Sequence, residues 1–252
     1  MLSDNRPRVR YQNVPAHEVI CQLRFPPILT INHAEPADFQ EEIRSAFPQY
    51  ARRQDPPPPS SQKLPPVTNY HFLSEDGKWK LNLTKDFIAL STLRYPGWEE
   101  FARHLDRPLA AFIRLYQPAY FQRVGLRYLN LFSRTRLGLE GVPWRELFAP
   151  AYTGPFQEEE DEESLLGWGC DLNLRLDNSS RAKIHAGLGR LHPQNAAPQA
   201  QEVQFLFDMD LYMGDHLPCT MAAGALETLH IHGGRLFEGA ITDRLRQALG
   251  PL

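Results

Sequence analysis

Apolar residues along the chain switch between the two-residue period of a strand and the three- to four-residue period of a helix. In the run 18–25 they alternate with polar residues, and two prolines then end the run, which predicts a strand with one buried face. Within 37–50, Phe39, Ile43 and Phe47 recur every four residues. This spacing places their side chains on one side of a short amphipathic helix.

The same two periods predict the remaining elements. Those of the first half are strands over 69–73, 78–84 and 87–94 and a long helix over 98–116, which a proline should kink. Those of the second half are a strand over 121–132, a short helix over 143–148, strands over 169–176, 183–188 and 203–212, and a helix over 222–249. Both halves therefore follow the order strand, helix, three strands, helix.

This order predicts an α+β fold in a single domain, residues 1–252, with halves at about 17–118 and 119–250. We expect the strands of the two tandem β-α-β-β-β-α halves to join into one curved antiparallel sheet. The long helices should pack on one face, because such a sheet has one apolar face to cover. The layout resembles the duplicated sheet-and-helix domains of the heme-binding SOUL and TATA-binding groups, which is a similarity of architecture and implies no function.

Two segments interrupt the pattern. Residues 51–66 contain a run of consecutive prolines, which predicts an extended, exposed connector; a polyproline II ligand is the alternative. Residues 155–164 contain an unbroken run of glutamates and an aspartate. Because like charges repel one another, we expect a solvated loop there, with docking of a basic partner or a divalent cation as the alternative.

Composition narrows the class of protein. The 252 residues are 42% hydrophobic, which favours a folded chain, and the net charge of −3 argues against nucleic acid or an anionic membrane as a partner. No apolar run approaches the length of a membrane span and no signal peptide is apparent, so we expect a cytoplasmic protein. The three cysteines are widely spaced, which predicts reduced thiols and no disulfide framework.

Sequence motifs for catalysis, nucleotide binding and metal binding are absent from the chain. This favours a protein that is not an enzyme and needs no cofactor. His230 and His232, with His216 or His192, are the imidazoles that a zinc site would use. On a helix, however, the first two point about 200° apart, so we expect structural histidines.

Several polar residues remain candidates for binding. Asp208 and Asp210 share one face of a predicted strand, as a site or as a solvated edge. The densest basic patch consists of Arg123, Arg127, Arg134 and Arg136. Together with Tyr128 it suits a phosphate or a carboxylate, and the alternative is pairing with acidic side chains across the sheet. We therefore expect Arg123, Arg127, Tyr128 and Trp168 to be the residues that bind a ligand or partner.

Three runs carry a family resemblance: VICQLRF at 19–25 with two prolines after it, RVGLRYLN at 123–130, and LFEGAIT at 236–242. They resemble a sporadically distributed, uncharacterised bacterial family of about this length. The resemblance implies a shared fold and carries no reaction or site residue. The patchy distribution of that family implies genes that travel with mobile or defence cassettes.

Three functional hypotheses follow. The leading one is a non-enzymatic interaction or accessory subunit of a bacterial multi-protein system, with a protein partner. The second is a small-molecule-binding protein that uses a cavity between sheet and helices, lined by Arg127, Tyr128 and Trp168. The third is a hydrolase or nuclease without a recognisable motif, which would need histidines and aspartates clustered in a cleft.

Overall fold

The computed structural model describes residues 9–56, 65–154, 162, 167–189 and 202–252. Its strands are β1 Ala16–Arg24, β2 Gln49–Asp55, β3 Val67–Leu73, β4 Trp79–Leu83, β5 Phe87–Thr92, β6 Phe121–Phe132, β7 Gly169–Arg175, β8 Ser180–Gly189 and β9 Gln204–Leu217. Its α-helices are α1 Ala37–Ile43, α2 Trp98–Tyr116, α3 Arg134–Leu137, α4 Ala222–Ala240 and α5 Asp243–Leu249. Short 3-10 turns lie at Leu29–Asn32, Trp144–Glu146, Pro150–Tyr152 and Cys219–Met221.

Within the described residues the strands form one open antiparallel sheet of nine, in the order β2-β3-β4-β5-β1-β6-β9-β8-β7. The predicted α+β class with an antiparallel sheet is therefore confirmed. Helix α2 and strand β6 begin and end at the predicted residues. No helix in the described part of the chain is long and apolar enough to cross a membrane.

Four predicted elements need correction. The loop predicted at 51–66 begins too early, because residues 49–55 form β2, paired with β3 along its whole length. The first half therefore has four strands between α1 and α2, where three were predicted. Helix α1 ends at Ile43, well before residue 50. The segment predicted as a short helix at 143–148 contains only a 3-10 turn.

The fourth correction concerns the last predicted helix, which is broken in two. The break lies at Ile241 and Thr242, where the Thr242 hydroxyl caps α5 by accepting a hydrogen bond from the backbone N–H of Leu245 at 3.3 Å. Helix α2, by contrast, continues through the buried Pro108.

Much of the two predicted loops lies outside the described residues, which exclude 57–64, 155–161 and 163–166. Glu162 is described and makes specific contacts. Its carboxylate accepts a hydrogen bond from the backbone N–H of Trp144 at 2.6 Å and lies 3.2 Å from the guanidinium of Arg134. This residue of the acidic run is therefore bound to the protein rather than free in solvent.

The chain divides into two compact units, and the single-domain organisation stays a prediction. Unit 1 comprises residues 1–17, 127–211 and 228–252, and unit 2 comprises 18–126 and 212–227. The division passes through β1, β6, β9 and α4.

The core of unit 2 is aromatic. Phe25 of the β1 end packs on Phe112 of α2 with ring centroids 4.7 Å apart, and Phe39 of α1 meets Phe72 of β3 edge-on at 5.6 Å. All four rings are fully buried. Each such ring contributes roughly 1.5–3 kcal/mol by leaving water, so the apolar stripes on α1 and α2 are held to the sheet by these rings.

Unit 1 has its own aromatic core, formed by Phe132, Phe148 and Phe205. Phe148 stacks on Phe205 of β9 at 3.9 Å, and Phe132 of β6 meets Phe148 edge-on at 4.9 Å. The described segment around Phe148, between β6 and β7, is thereby packed onto the sheet, although it has little regular secondary structure.

A partly buried polar cluster in unit 1 joins the first described residues to the last ones. The Tyr11 hydroxyl donates to one oxygen of Glu238 at 2.6 Å, and Arg246 donates to the other from Nε at 3.1 Å. Backbone hydrogen bonds from Gln12 to Gly250 and from Leu252 to Arg10 run beside it. Burial and then the neighbouring Glu238 carboxylate raise the pKa of Tyr11, so Tyr11 acts as a hydrogen-bond donor. We call Tyr11, Glu238 and Arg246 the terminal clamp.

Candidate functional site

Arg127 is bound within the protein. Its Nε and one terminal nitrogen donate to the two carboxylate oxygens of Asp208 on β9, at 2.8 and 2.5 Å. The pair lies on the sheet surface, with the Arg127 side chain 45% exposed and that of Asp208 15% exposed. The alternative interpretation of the basic patch, pairing across the sheet, therefore describes Arg127.

Tyr128 points into unit 1 and faces α4. Its hydroxyl lies 2.7 Å from Nδ1 of His230, and both side chains are buried. Gly233 of α4 lies beside the ring, where a Cβ atom would come within 3.3 Å of it. Tyr128 and His230 thus satisfy each other in the core, which is a structural role for both.

The other two candidates also have contacts of their own. The guanidinium of Arg123 lies over the ring of Tyr212, 4.7 Å from its centroid, a cation–π geometry. Trp168 covers Gly154 closely enough that a Cβ atom there would stand 2.7 Å from the indole. Binding of a ligand or partner by these residues stays a prediction, since each side chain already contacts the protein.

The histidines and cysteines show no shared metal site in the part of the chain that the structure describes. His232 bonds through Nε2 to Asp177 at 2.8 Å and therefore serves a different partner from His230. His192 lies outside the described residues. Burial raises the pKa of Cys21, Cys170 and Cys219, which favours the neutral thiol. The hydrolase or nuclease hypothesis stays a prediction.

A cleft of about 660 Å³ opens in unit 2. His104 of α2 stacks on Trp79 of β4 in its wall, with ring centroids 4.0 Å apart. Nδ1 of His104 lies 2.9 Å from the Glu100 carbonyl. A carbonyl can only accept, so Nδ1 carries the hydrogen and Nε2 is the acceptor of the neutral ring. The full lining is Ser45, Ala46, Pro48, Ser74, Glu75, Asp76, Lys78, Trp79, Arg94, Pro96, Glu100 and His104.

The cleft is therefore lined by residues other than Arg127, Tyr128 and Trp168, the lining that the sequence suggested. Part of its charge is internally neutralised, because Lys78 pairs with Asp76 at 2.6 Å. Hydrogen bonds to Asp76, first from Lys78 and then from Ser74, hold the pKa of that carboxyl below its usual range. Arg94 of the lining is exposed, and it forms no ion pair with another described residue.

Strand β2 forms one edge of the sheet and is polar on both faces. Each of its residues pairs with one of β3, from Gln49 opposite Leu73 to Asp55 opposite Val67. Arg52 and Arg53 are exposed and point to opposite faces, because successive side chains of a strand alternate. Arg52 lies 3.9 Å from Glu35, and no ion pair engages Arg53 within the described residues.

A small cavity adjoins this edge. It has a volume of about 190 Å³ and is lined by Glu35, Pro36, Ala37, Gln40 and Tyr50. Small-molecule pockets usually measure about 300–1,000 Å³, so this one suits a single side chain. Burial, followed by a hydrogen bond to Glu35, raises the pKa of Tyr50 to about 12, and Tyr50 keeps its proton at neutral pH.

Strand β7 forms the other edge and alternates strictly. Cys170, Leu172 and Leu174 are half-buried on one face, and the residues between them are exposed on the other. The ladder with β8 is complete from Gly169 opposite Gly187 to Arg175 opposite Arg181. The alternation is visible in the sequence, but the position of β7 at the end of the sheet is not.

No protein-family model matches the chain, and no curated protein matches it in sequence. The resemblance to a sporadic bacterial family stays a prediction.

Proposed function

We propose that this protein is a non-enzymatic interaction subunit that binds an extended, acidic segment of a protein partner along β2. The observation that supports this is a regular edge strand with an adjoining cavity for one side chain and two exposed arginines. Each of these features corresponds to one component of strand addition, in which backbone hydrogen bonds supply affinity and side-chain pockets supply specificity.

The backbone component follows from the ladder. In an antiparallel pair, half of the N–H and C=O groups of a strand point towards its neighbour and half point away. β2 is paired with β3 through all seven of its residues, and the outward groups meet no strand among the described residues. An added strand would use this row of donors and acceptors.

The side-chain component sets the chemistry of the partner. Arg52 and Arg53 lie on opposite faces of β2, so two adjacent acidic residues of an added strand would each meet one arginine. On the face of Tyr50, the cavity would take a neighbouring side chain of that strand. We therefore infer an acidic segment that contains one larger residue beside the acidic pair.

A second copy of the chain fits this edge poorly. If two β2 strands paired in antiparallel fashion over their full length, Arg52 would face Arg52 of the other copy, and like charges directly opposite destabilise a sheet. The arginines thus act against self-association at this edge while favouring an acidic partner.

The cellular setting is also a proposal. We infer a cytoplasmic accessory subunit of a bacterial multi-protein system, associated with mobile or defence genes. This rests on the family resemblance of the runs at 19–25, 123–130 and 236–242.

Site-specific cross-linking in the native host tests the β2 proposal. A photoreactive p-benzoylphenylalanine replaces Gln54 on β2 in one protein and Arg103 on α2 in the control, since both side chains are exposed. We expect one stoichiometric adduct from position 54 only, mapped by mass spectrometry to an acidic segment of the partner. Arg53→Glu combined with the position-54 probe should abolish it, whereas Arg103→Glu, an equal charge change, should not.

Two outcomes would contradict the proposal. One is an adduct that forms equally from both positions or survives Arg53→Glu. The other is a partner whose cross-linked segment is basic or helical.

A second candidate function is small-molecule binding in the unit 2 cleft, which has the volume of a ligand pocket. The carboxylates of Glu75 and Glu100 and the guanidinium of Arg94 line the cleft, which suits a polar ligand that carries a positive and a negative group. Native mass spectrometry of protein purified from its host would show a discrete added mass, which Arg94→Glu should remove and Arg103→Glu should leave. A chain of unmodified mass in every preparation would contradict this candidate.

A further inference from the structure

On the exposed face of β7, the positive charge of Arg175 has no acidic partner among the described residues. Arg175 lies opposite Arg181 of β8. Asp171, two pairs earlier, bonds to His185 at 2.9 Å, yet its side chain stays 80% exposed. The edge therefore presents one acidic and one basic residue, separated by Asn173, on the same face.

We propose that two copies of this protein associate by pairing their β7 strands in antiparallel fashion about a two-fold axis at Leu172. This axis gives the longest possible overlap of the two strands. Leu172 then faces Leu172 of the second copy. The remaining residues of one copy pair with those of the other as Cys170 with Leu174, Asp171 with Asn173, and Gly169 with Arg175.

The charges of β7 are self-complementary in this register. Asp171 of one copy lies diagonal to Arg175 of the other, a distance that a long side chain spans. Gly169, opposite Arg175, has no side chain to obstruct that reach. The two-fold axis makes this contact twice, so the arginine that faces Arg181 within its own chain gains a carboxylate from the second copy.

The apolar face of β7 continues across the same junction. Cys170, Leu172 and Leu174 pair with Ala186, Ile184 and Ala182 of β8, which are buried. The half-exposed row on β7 is thus the outer margin of an apolar surface, and a second copy would extend it with an identical row. The proposal does not depend on a partner at β2, since that edge is a different strand with repelling arginines.

Disulfide trapping tests the register. In wild-type protein Cys170 faces Leu174 of the other copy and has no thiol opposite. Leu174→Cys places a thiol opposite Cys170 in both contacts, so mild oxidation should give a covalent dimer on a non-reducing gel. The control Cys170→Ser with Leu174→Cys should form no covalent dimer on that gel, and neither should the wild type, whose association is non-covalent.

A charge exchange tests the same interface without touching the apolar row. Arg175→Glu turns both diagonal contacts into like-charge pairs and should weaken dimerisation about tenfold, as measured by analytical ultracentrifugation. The swapped variant, Asp171→Arg with Arg175→Glu, should restore it. The proposal would be overturned if every protein sedimented as a monomer and the Leu174→Cys variant formed no cross-link. It would also be overturned if Arg175→Glu left the dimer intact.

Discussion

Replacing Glu238 by glutamine should lower the stability of unit 1 sharply. The Glu238 side chain is 2% exposed and that of Arg246 is 12% exposed, so the variant removes one charge of a buried ion pair and leaves Arg246 with only the exposed Asp243 as an acidic partner among the described residues. Both carboxylate oxygens of Glu238 accept hydrogen bonds, one from Tyr11 and one from Arg246. In glutamine one of these oxygens becomes an amide nitrogen, which donates and therefore cannot accept from Tyr11 or Arg246. Breaking a buried pair in this way costs about 3–5 kcal/mol.

Chemical denaturation monitored by circular dichroism measures this cost as a change in the free energy of unfolding. We expect a loss of about 3 kcal/mol, against a total of roughly 5–15 kcal/mol for a folded protein. The midpoint of thermal unfolding should fall by roughly 6–12 °C for a chain of this size.

Two variants serve as comparisons. Glu146→Gln makes the same chemical change at an ion pair with Arg244 whose side chains are 45% and 50% exposed, and should cost less than about 1 kcal/mol. Tyr11→Phe removes only the hydroxyl that donates to Glu238 and should cost about 1.5–3 kcal/mol. A Glu238→Gln protein that unfolds within 1 kcal/mol of the Glu146→Gln control would refute the reasoning about the terminal clamp.

Three further predictions follow from the contacts above. Tyr128→Phe leaves Nδ1 of the buried His230 without the hydroxyl at 2.7 Å and should cost about 1–3 kcal/mol in a urea titration, whereas no measurable loss would contradict a structural role for the pair. Burial of Asp177 opposes its ionisation, but hydrogen bonds, first from the backbone N–H groups of Ser179 and Ser180 and then from His232, outweigh it and lower the pKa. A carboxyl whose pKa is lower in the folded than in the unfolded state stabilises the fold at a pH above its unfolded-state pKa, so the free energy of unfolding should decrease as the pH drops below about 4. Asp177→Asn should make this decrease smaller, and an equal decrease in the variant and the wild type would contradict the prediction. Gly187→Ala would place a Cβ 2.5 Å from the Trp168 carbonyl, which is rigid backbone, and should cost about 1–3 kcal/mol. Gly125→Ala would meet only the flexible end of Arg123 and should cost less than about 1 kcal/mol, so equal losses in thermal melts would contradict the distinction.

The amphipathic elements could be predicted from the sequence because their periodicity records burial on one face. Helix α2 and strand β6 begin and end where the pattern places them, since each has a continuous apolar stripe facing the core. Strand β2 was not predicted because none of its residues is fully buried. A strand without a buried face shows no alternation of apolar and polar residues in the sequence.

The candidate binding residues show a different limit. The arginines of the 123–136 run were identified by residue type alone, and only the fold shows that Arg127 already binds Asp208. Composition reveals which side chains carry charge, but the pairing of those charges depends on strand order and register. The unit 2 cleft is built from four separated stretches of chain, which no local pattern connects.

The sequence by itself determined the α+β class, most of the helices and strands and the ordinary charge of this protein, because these depend on local periodicity and composition. Tertiary structure alone decided which strands lie at the open ends of the sheet, which charged groups are bound within the protein and which remain available. Those features arise from contacts between residues far apart in the chain. The proposed interactions at β2 and β7 therefore depend on the order β2-β3-β4-β5-β1-β6-β9-β8-β7, which the sequence does not reveal.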